Sequence, residues 1–231
     1  MNENSYYSEK LSALRLKRCY EIASPRIKQY LEAELQYVLN NHIKPSDTVL
    51  ELGCGYGRVL IRLAGKAKKV YGIDTSQDSL ELAGDLLSEY SNVELYEMNA
   101  KSLRFNDQMF DVTIAIQNGI SAFHVDPHVL IIECLRVTKD GGRILLSSYS
   151  EKIWGARLDW FIEQSREGLL GEIDLERSGE GVIACKDGFK ATTYTAEDFS
   201  TLISEMHLDA TIEEVDQSSI FCTVYVHHNQ T

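Results

Sequence analysis

The chain has 231 residues, 44% of them hydrophobic, and a formal net charge of −12. That length fits one α/β domain with additions. No run of 18 apolar residues offers a membrane span, and the acidic balance argues against a nucleic-acid partner, which would need a basic face. Five cysteines, odd in number and without a Cys-x-x-Cys pair, suggest neither a disulfide framework nor a zinc site. The start, Met1-Asn2-Glu3-Asn4-Ser5, is polar and has no signal-peptide core, so a reducing cytoplasm fits best.

In chain order, residues 9 to 42 read as two helices. Ser24-Pro25 is an N-cap followed by proline at the first helical position, after which Ile27, Leu31, Leu35, Val38 and Leu39 recur at helical spacing. Lys44-Pro45-Ser46-Asp47 turns into a short apolar strand, Val49 to Leu52, and Val59 to Ala64 begins a helix. Val70 to Asp74 is a second strand, followed by a helix from Thr75-Ser76 with Leu80, Leu82, Ala83, Leu86 and Leu87 at its apolar positions. Asn92 to Met98 and Phe110 to Ile116 are the third and fourth strands. Asp126-Pro127 restarts a helix lined by Ile131, Ile132, Leu135 and Val137. Lys139 to Gly142 reads as a tight turn, and Arg143 to Tyr149 as a fifth strand.

Beyond Tyr149 the pattern loosens. Trp154, Leu158, Phe161 and Ile162 mark an amphipathic helix, and residues 169 to 181 are loop-like. Asp187-Gly188 between two apolar runs signals a hairpin. Thr195-x-x-Asp198 opens a capped helix, and strands at about 208 to 216 and 219 to 227 close the sheet as a hairpin. The Trp154/Trp160 stretch reads as core or dimer contact rather than a substrate cage.

The most informative stretch is Glu51-Leu52-Gly53-Cys54-Gly55-Tyr56-Gly57-Arg58. Strand, glycine turn and helix is the plan of a nucleotide site at the carboxyl end of a parallel sheet. Glycine permits positive φ and close approach of a ligand, and a helix start offers free N–H groups to an anion. The spacing is G-x-G-x-G, with Arg58 where a dinucleotide fold would have its third glycine. An acid precedes the turn, Glu51, and another ends the next strand, Asp74. This resembles the class I S-adenosylmethionine-dependent methyltransferases of the small-molecule type, with a core of the type 11/25 kind, and the likeness is close over residues 46 to 150.

The resemblance implies an α/β fold: a Rossmann-like, seven-stranded, mostly parallel sheet with helices on both faces and the last strand antiparallel. It also implies one methyltransferase domain over 1–231, with a helical cover at 1–44, a core at 45–150 and 194–228, and an inserted cap at 151–193. S-adenosyl-L-methionine would be the cofactor and S-adenosyl-L-homocysteine the product. Glu51 would pair with its ammonium, Asp74 would accept its ribose hydroxyls, and the backbone at Gly53, Gly55 and Gly57 would carry its methionine part. Cys54, Tyr56, Arg58 and Thr75 would complete that wall. Asn99 and Ala100 would lie beside adenine, Asn99 standing where the family usually has Asp. Gln117 and Asn118 would face the amino-acid end. Tyr6, Tyr7, Tyr20 or Tyr30 could face the cofactor from the cover.

Methyl transfer is an in-line displacement, so orienting the acceptor can supply much of the rate, while a hydroxyl or carbon acceptor needs a base. His124, in the loop after the fourth strand, is the candidate base, with an ordinary pKa near ~6.5. Tyr149 is the alternative, as a hydrogen-bond orienter. His124-Val125-Asp126-Pro127-His128 reads as a loop and a cap rather than a metal cluster, and no metal is expected. The marker sequences of DNA amino- and cytosine-methylating enzymes are missing after the fourth strand. The leading reading is methyl transfer to a small-molecule acceptor by a monomer or homodimer. A protein or RNA methyltransferase and a non-catalytic binder of the cofactor are the alternatives.

Overall fold

The apolar runs between Thr48 and Tyr149 form the parallel part of one sheet in a computed structural model of the chain, which describes Tyr6 and residues 10–228. These strands are β1 (Thr48–Leu52), β2 (Lys69–Asp74), β3 (Val93–Glu97), β4 (Phe110–Ala115) and β5 (Thr138–Tyr149). A two-stranded hairpin, β6 (Ile183–Ala184) and β7 (Lys190–Ala191), stands apart, and β8 (Asp209–Val215) and β9 (Ser219–Tyr225) complete the main sheet. Its order is β3-β2-β1-β4-β5-β9-β8. β9 runs antiparallel to both neighbours, so the seven-stranded, mostly parallel sheet with an antiparallel last strand expected from the resemblance is the fold observed.

Helices cover both faces. They are α1 (Ala13–Glu21), α2 (Pro25–His42), α3 (Leu60–Ala64), α4 (Gln77–Leu86), α5 (Gly119–Ala122), α6 (Pro127–Val137), α7 (Trp154–Arg166) and α8 (Ala196–Glu205). Their starts follow from local chemistry. Ser24 accepts the Ile27 N–H with Pro25 at the first position, Ser76 accepts from Ser79, and Asp126 accepts from His128. Thr195 and Asp198 form a reciprocal capping box; one such cap contributes about 1 kcal/mol. Strand alternation then divides the core. Leu50, Ile73 and Ile144 face α6 and α8, while Val49, Val70 and Leu145 face α2, α3 and α4. No helix among the described residues is long and apolar enough to cross a membrane.

Two local expectations are corrected, and one expected helix is short. The turn at 139–142 lies inside β5: the register slips between Phe110 and Val112, and Gly141 has a φ of +72°, so the glycines make a bulge rather than a strand start. The helix after the glycine turn has only five residues, which leaves it little macrodipole. On α6 the buried residues are Leu130, Ile131, Cys134 and Val137, whereas Ile132 is exposed.

A third apolar cluster lies above the carboxyl ends of the strands. It joins α1 and the start of α2 to α7 and the small hairpin through Cys19, Tyr30, Trp160, Phe161, Ile183 and Phe189. Arg157, 1% exposed, ties this part together. Its guanidinium donates to the Gly181 and Ala191 carbonyls and to Thr193 Oγ1 at 2.9–3.3 Å, and lies 4.2 Å from the centre of the Tyr149 ring.

Candidate functional site

Between β1 and β4 the strand order reverses, and a ligand site is expected in the crevice at such a point. A cleft of about 1510 Å³, open mouth included, lies there, with the ends of β1, β2 and β4 as its floor and α1 and α7 as its walls. Of the residues singled out from sequence, Glu51, Gly53, Cys54, Gly55, Tyr56, Arg58, Asp74, Thr75, Asn99, Ala100, Gln117, Asn118 and Tyr149 all line it.

The glycine turn is shaped from both sides. All three glycines have positive φ, +69°, +53° and +87°, where a Cβ is strained. A Cβ on Gly53 would meet the Phe123 ring at 2.5 Å, and one on Gly55 would meet Leu16 of α1 at 3.0 Å. Gly57 does not line the cleft: its missing Cβ faces Leu87 and Ala83 near α4, at 3.0 and 3.2 Å. It serves helix packing rather than ligand approach, which corrects its expected place. Asp74 braces the turn, accepting the Gly55 N–H at 2.8 Å through Oδ2 and the Ser76 N–H at 2.9 Å through Oδ1. Each carboxylate oxygen has a second lone pair for a ligand. Burial pushes the Asp74 carboxyl up from its ordinary value, and the backbone N–H bonds pull it back.

Glu51 is 5% exposed, and its Oε2 finds no hydrogen-bond partner among the described residues. Burial pushes its carboxyl up to about 8; nearby Arg58 opposes the rise and Asp74 adds to it. Arg58 donates from Nη2 to Gln117 Oε1 and lies 4.4 Å over the Tyr20 ring. Two buried donors here, Arg58 Nε and Gln117 Nε2, also lack partners among the described residues. An orphaned acceptor thus lines the same cleft as two orphaned donors, an arrangement that fits a zwitterionic group.

The end of β4 is a strained corner. Gln117 and Asn118 are consecutive left-handed residues, φ 57° and 66°, each costing on the order of 1–3 kcal/mol unless its surroundings hold it. The Gln117 N–H is shared between Glu34 Oε2 at 2.9 Å and Ser147 Oγ at 2.8 Å. Asn118 donates to the Thr192 carbonyl and accepts from Ser148 Oγ. Asn99 Oδ1 accepts from the Lys101 N–H at 2.9 Å, which leaves its amide nitrogen for the cleft.

The two candidate catalytic side chains separate. His124 is not in the cleft wall. The chain turns at its φ of 48°, and the preceding Phe123 occupies the wall against Gly53 and Gly119 instead. Tyr149 is in the wall; burial pushes its phenol up to about 12, with Arg157 opposing, so it stays a donor at neutral pH. His128 contacts Asp126 and Glu205 on the exposed surface.

Of the cover tyrosines, Tyr20 lines the cleft, whereas Tyr30 is fully buried, 5.2 Å from the Tyr149 ring. Tyr6 donates to Asp187 outside the cleft. Tyr7 lies outside the described residues. Trp160, read as core or dimer contact, is both core and wall: its Nε1 donates to the Cys19 carbonyl at 2.8 Å. Sequence reasoning missed Leu16, Phe123, Gln164 and Gly72. A Cβ on Gly72 would meet Leu60 at 2.5 Å and Cys54 Sγ at 2.9 Å; a glycine inside a strand was the available signal.

Comparison with known proteins places this geometry. Residues 49–142 match the methyltransferase domain family. A demethylmenaquinone methyltransferase of Bacillus licheniformis is 32% identical over 121 residues, half of each chain. The chain spans about half the length of the curated relatives of that kind. An S-adenosylmethionine-dependent methyltransferase of Methanosarcina mazei has a TM-score of 0.60 at 20% identity, over 83% of this chain and 98% of that one. The N-methyltransferase NodS of Bradyrhizobium japonicum, solved with S-adenosyl-L-homocysteine, has a TM-score of 0.61 at 13% identity, over 99% and 100%; these two share the fold. With the glycine motif and Asp74 inside it, the segment 49–142 matches the methyltransferase domain family, and the chain around it has the fold of S-adenosylmethionine-dependent methyltransferases.

Proposed function

We propose that the chain is a methyltransferase that binds S-adenosyl-L-methionine in the cleft and methylates a small-molecule acceptor. The observation that carries this reading is the set of unsatisfied groups around the glycine turn. Glu51 Oε2 suits an ammonium, Arg58 Nε and Gln117 Nε2 suit a carboxylate, and the spare lone pairs of Asp74 suit a ribose diol. The backbone at Gly53 and Gly55 carries the chain between them, and Asn99 and Ala100 flank the base. When bound, the cofactor supplies a methyl group activated by a sulfonium. The residues of this chain bind, orient and exclude water.

Support for a small acceptor comes from the enclosure. α1 crosses the glycine turn through Leu16, and α7 closes the other side with Trp160, Phe161 and Gln164. We take residues 1–44 and 151–193 as cover and cap of a single domain. Tyr20, Tyr149, Trp160 and Phe161 give the far end aromatic walls, a surface for a flat or apolar acceptor. The Bacillus licheniformis relative is named for demethylmenaquinone, a small molecule. Tyr149, a protonated phenol, orients the acceptor by donating a hydrogen bond. The acids that line the cleft, Glu51 and Asp74, are assigned to the cofactor. The acceptor therefore reacts through an atom that needs no enzymatic base, such as a neutral amine, a thiolate or an acidic hydroxyl already ionised. Calorimetry with S-adenosyl-L-homocysteine and with NAD tests the cofactor: binding of the first and not the second is expected, and the reverse refutes the reading. A screen of small molecules with methyl-labelled donor tests the acceptor class, and labelling of protein or RNA alone would refute it.

A further inference from the structure

We propose that Glu34, a residue of α2 that does not line the cleft, is a positioning residue: it holds the Gln117–Asn118 corner in its left-handed conformation and so presents the Gln117 amide to the ligand. This rests on the reading above, that the cleft takes S-adenosyl-L-methionine through Gln117. Glu34 sits on the buried stripe of α2 with Leu31, Leu35 and Val38 and is 0% exposed. Packing alone would be served better there by leucine or methionine, because an enclosed carboxylate is costly and its replacement by an apolar group of similar size is often neutral or stabilising. Its Oε2 instead reaches across the fold to the Gln117 N–H at 2.9 Å, while Oε1 has no partner among the described residues.

The contact sits at one end of a relay. Glu34 fixes the Gln117 backbone, the Gln117 side chain accepts from Arg58, and Arg58 lies over Tyr20 of α1. Asn118 has its own supports in Ser148 and Thr192, so Gln117 depends on Glu34 and Ser147 alone for its N–H. The charged and titratable groups facing Glu34 are Arg58, Tyr30 and Tyr149, with the Ser147 and Ser219 hydroxyls beside them. Burial pushes its carboxyl up to about 7, and these hydroxyls, the Gln117 N–H and Arg58 oppose the rise. Its charge therefore changes near neutrality.

The test compares the full chain with Glu34→Met and Glu34→Gln. Three readouts are used: S-adenosyl-L-homocysteine affinity by calorimetry between pH 6 and 9, thermal midpoint, and hydrogen exchange at the Gln117 amide without ligand. The methionine variant is expected to keep or raise the midpoint, to lose protection at Gln117, and to bind about tenfold more weakly at pH 8, the scale of one hydrogen bond to a charged group. The glutamine variant, which keeps an acceptor oxygen, should recover most of the affinity and lose the inflection near pH 7. Wild-type affinity in the methionine variant overturns the proposal, as does unchanged protection at Gln117. A lowered midpoint that glutamine does not rescue also overturns it, because that is the mark of packing alone. If the wild type binds no S-adenosyl-L-homocysteine, the reading of the cleft fails, and exchange at Gln117 still decides the role of Glu34.

Discussion

Asp74 is asked to do two things, and replacing it separates them. Its oxygens accept the Gly55 and Ser76 N–H groups at 2.8 and 2.9 Å, which pins the glycine turn to the end of β2. Hydrogen bonds to a charged group contribute roughly 1.5–3 kcal/mol each. Asp74→Ala forfeits two of them but also removes a carboxylate that burial disfavours, so the net loss of stability should be about 1–3 kcal/mol. For a chain of this size that is a fall of roughly 3–10 °C in the thermal midpoint. On the proposed reading the same change removes the acceptor for both ribose hydroxyls, about 2–4 kcal/mol, or roughly 30- to 1,000-fold in affinity. Asp74→Asn keeps one acceptor oxygen and should fall between the two on both scales. Calorimetry with S-adenosyl-L-homocysteine, run well below each variant's midpoint, measures the second effect free of the first. An alanine variant that melts early yet binds within twofold of wild type would show that Asp74 is a turn brace and nothing more.

Glu51 predicts a pH dependence. Its carboxyl is raised to about 8 in the folded chain from an ordinary value near 4.5, so its contribution to stability is fully present below about 4.5 and is lost as pH rises through about 8. Glu51→Gln should therefore melt with wild type at pH 4.5 but above it at pH 8.5, and equal midpoints at both would refute the shift. Ligand affinity of the wild type should rise through the same upper window, because only the ionised form pairs with an ammonium. His124→Ala should change turnover by less than about threefold, since the imidazole is outside the wall; a drop of ~10²-fold, the scale of acid–base assistance, would restore it to the mechanism. Gly57→Ala should cost about 1–3 kcal/mol in unfolding, from positive φ and contact with Leu87, while leaving ligand affinity nearly intact. Loss of binding without loss of stability would put Gly57 in the site.

The floor of the cleft was legible because it is built from short-range rules. Alternating burial makes β1 and β2, a glycine triplet demands positive φ at their junction, and an acid at the end of β2 falls beside it through one strand–helix–strand step. Caps such as Ser24, Asp126 and Thr195 were equally local. The roof was not legible in the same way. Leu16 lies against Gly55, Trp160 donates to Cys19, and Arg157 reaches 181, 191 and 193, all contacts that no spacing rule reports. His124 was misplaced because sequence gives the position of a loop but not which of two neighbouring side chains turns inward. Glu34 did leave a signal, a carboxylate on the apolar stripe of α2, but its partner lies 83 positions away.

The roof and the floor share α1, and this bears on how a ligand site and an acceptor site can be one structure. One face of α1 lays Leu16 on the glycine turn and places Tyr20 against Arg58. The same helix offers the Cys19 carbonyl to Trp160 and sends Arg15 to the Gly168 and Leu169 carbonyls just past α7. Ala13 at its start is held by Ser79 of α4. A displacement of α1 large enough to admit a ligand over Gly55 would break the Trp160 and Arg15 contacts together. If the cofactor enters over Gly55, its entry and the assembly of the aromatic wall are the same event, and on the proposed reading the acceptor pocket is complete only when α1 is seated. Local opening free energies scale with the contacts an element makes, so the few polar ties of α1 make it the segment whose hydrogen exchange should slow most when S-adenosyl-L-homocysteine binds. Slowing confined to residues 53–57, with none across 13–21, would mean that the ligand enters without moving α1 and that the two sites assemble separately.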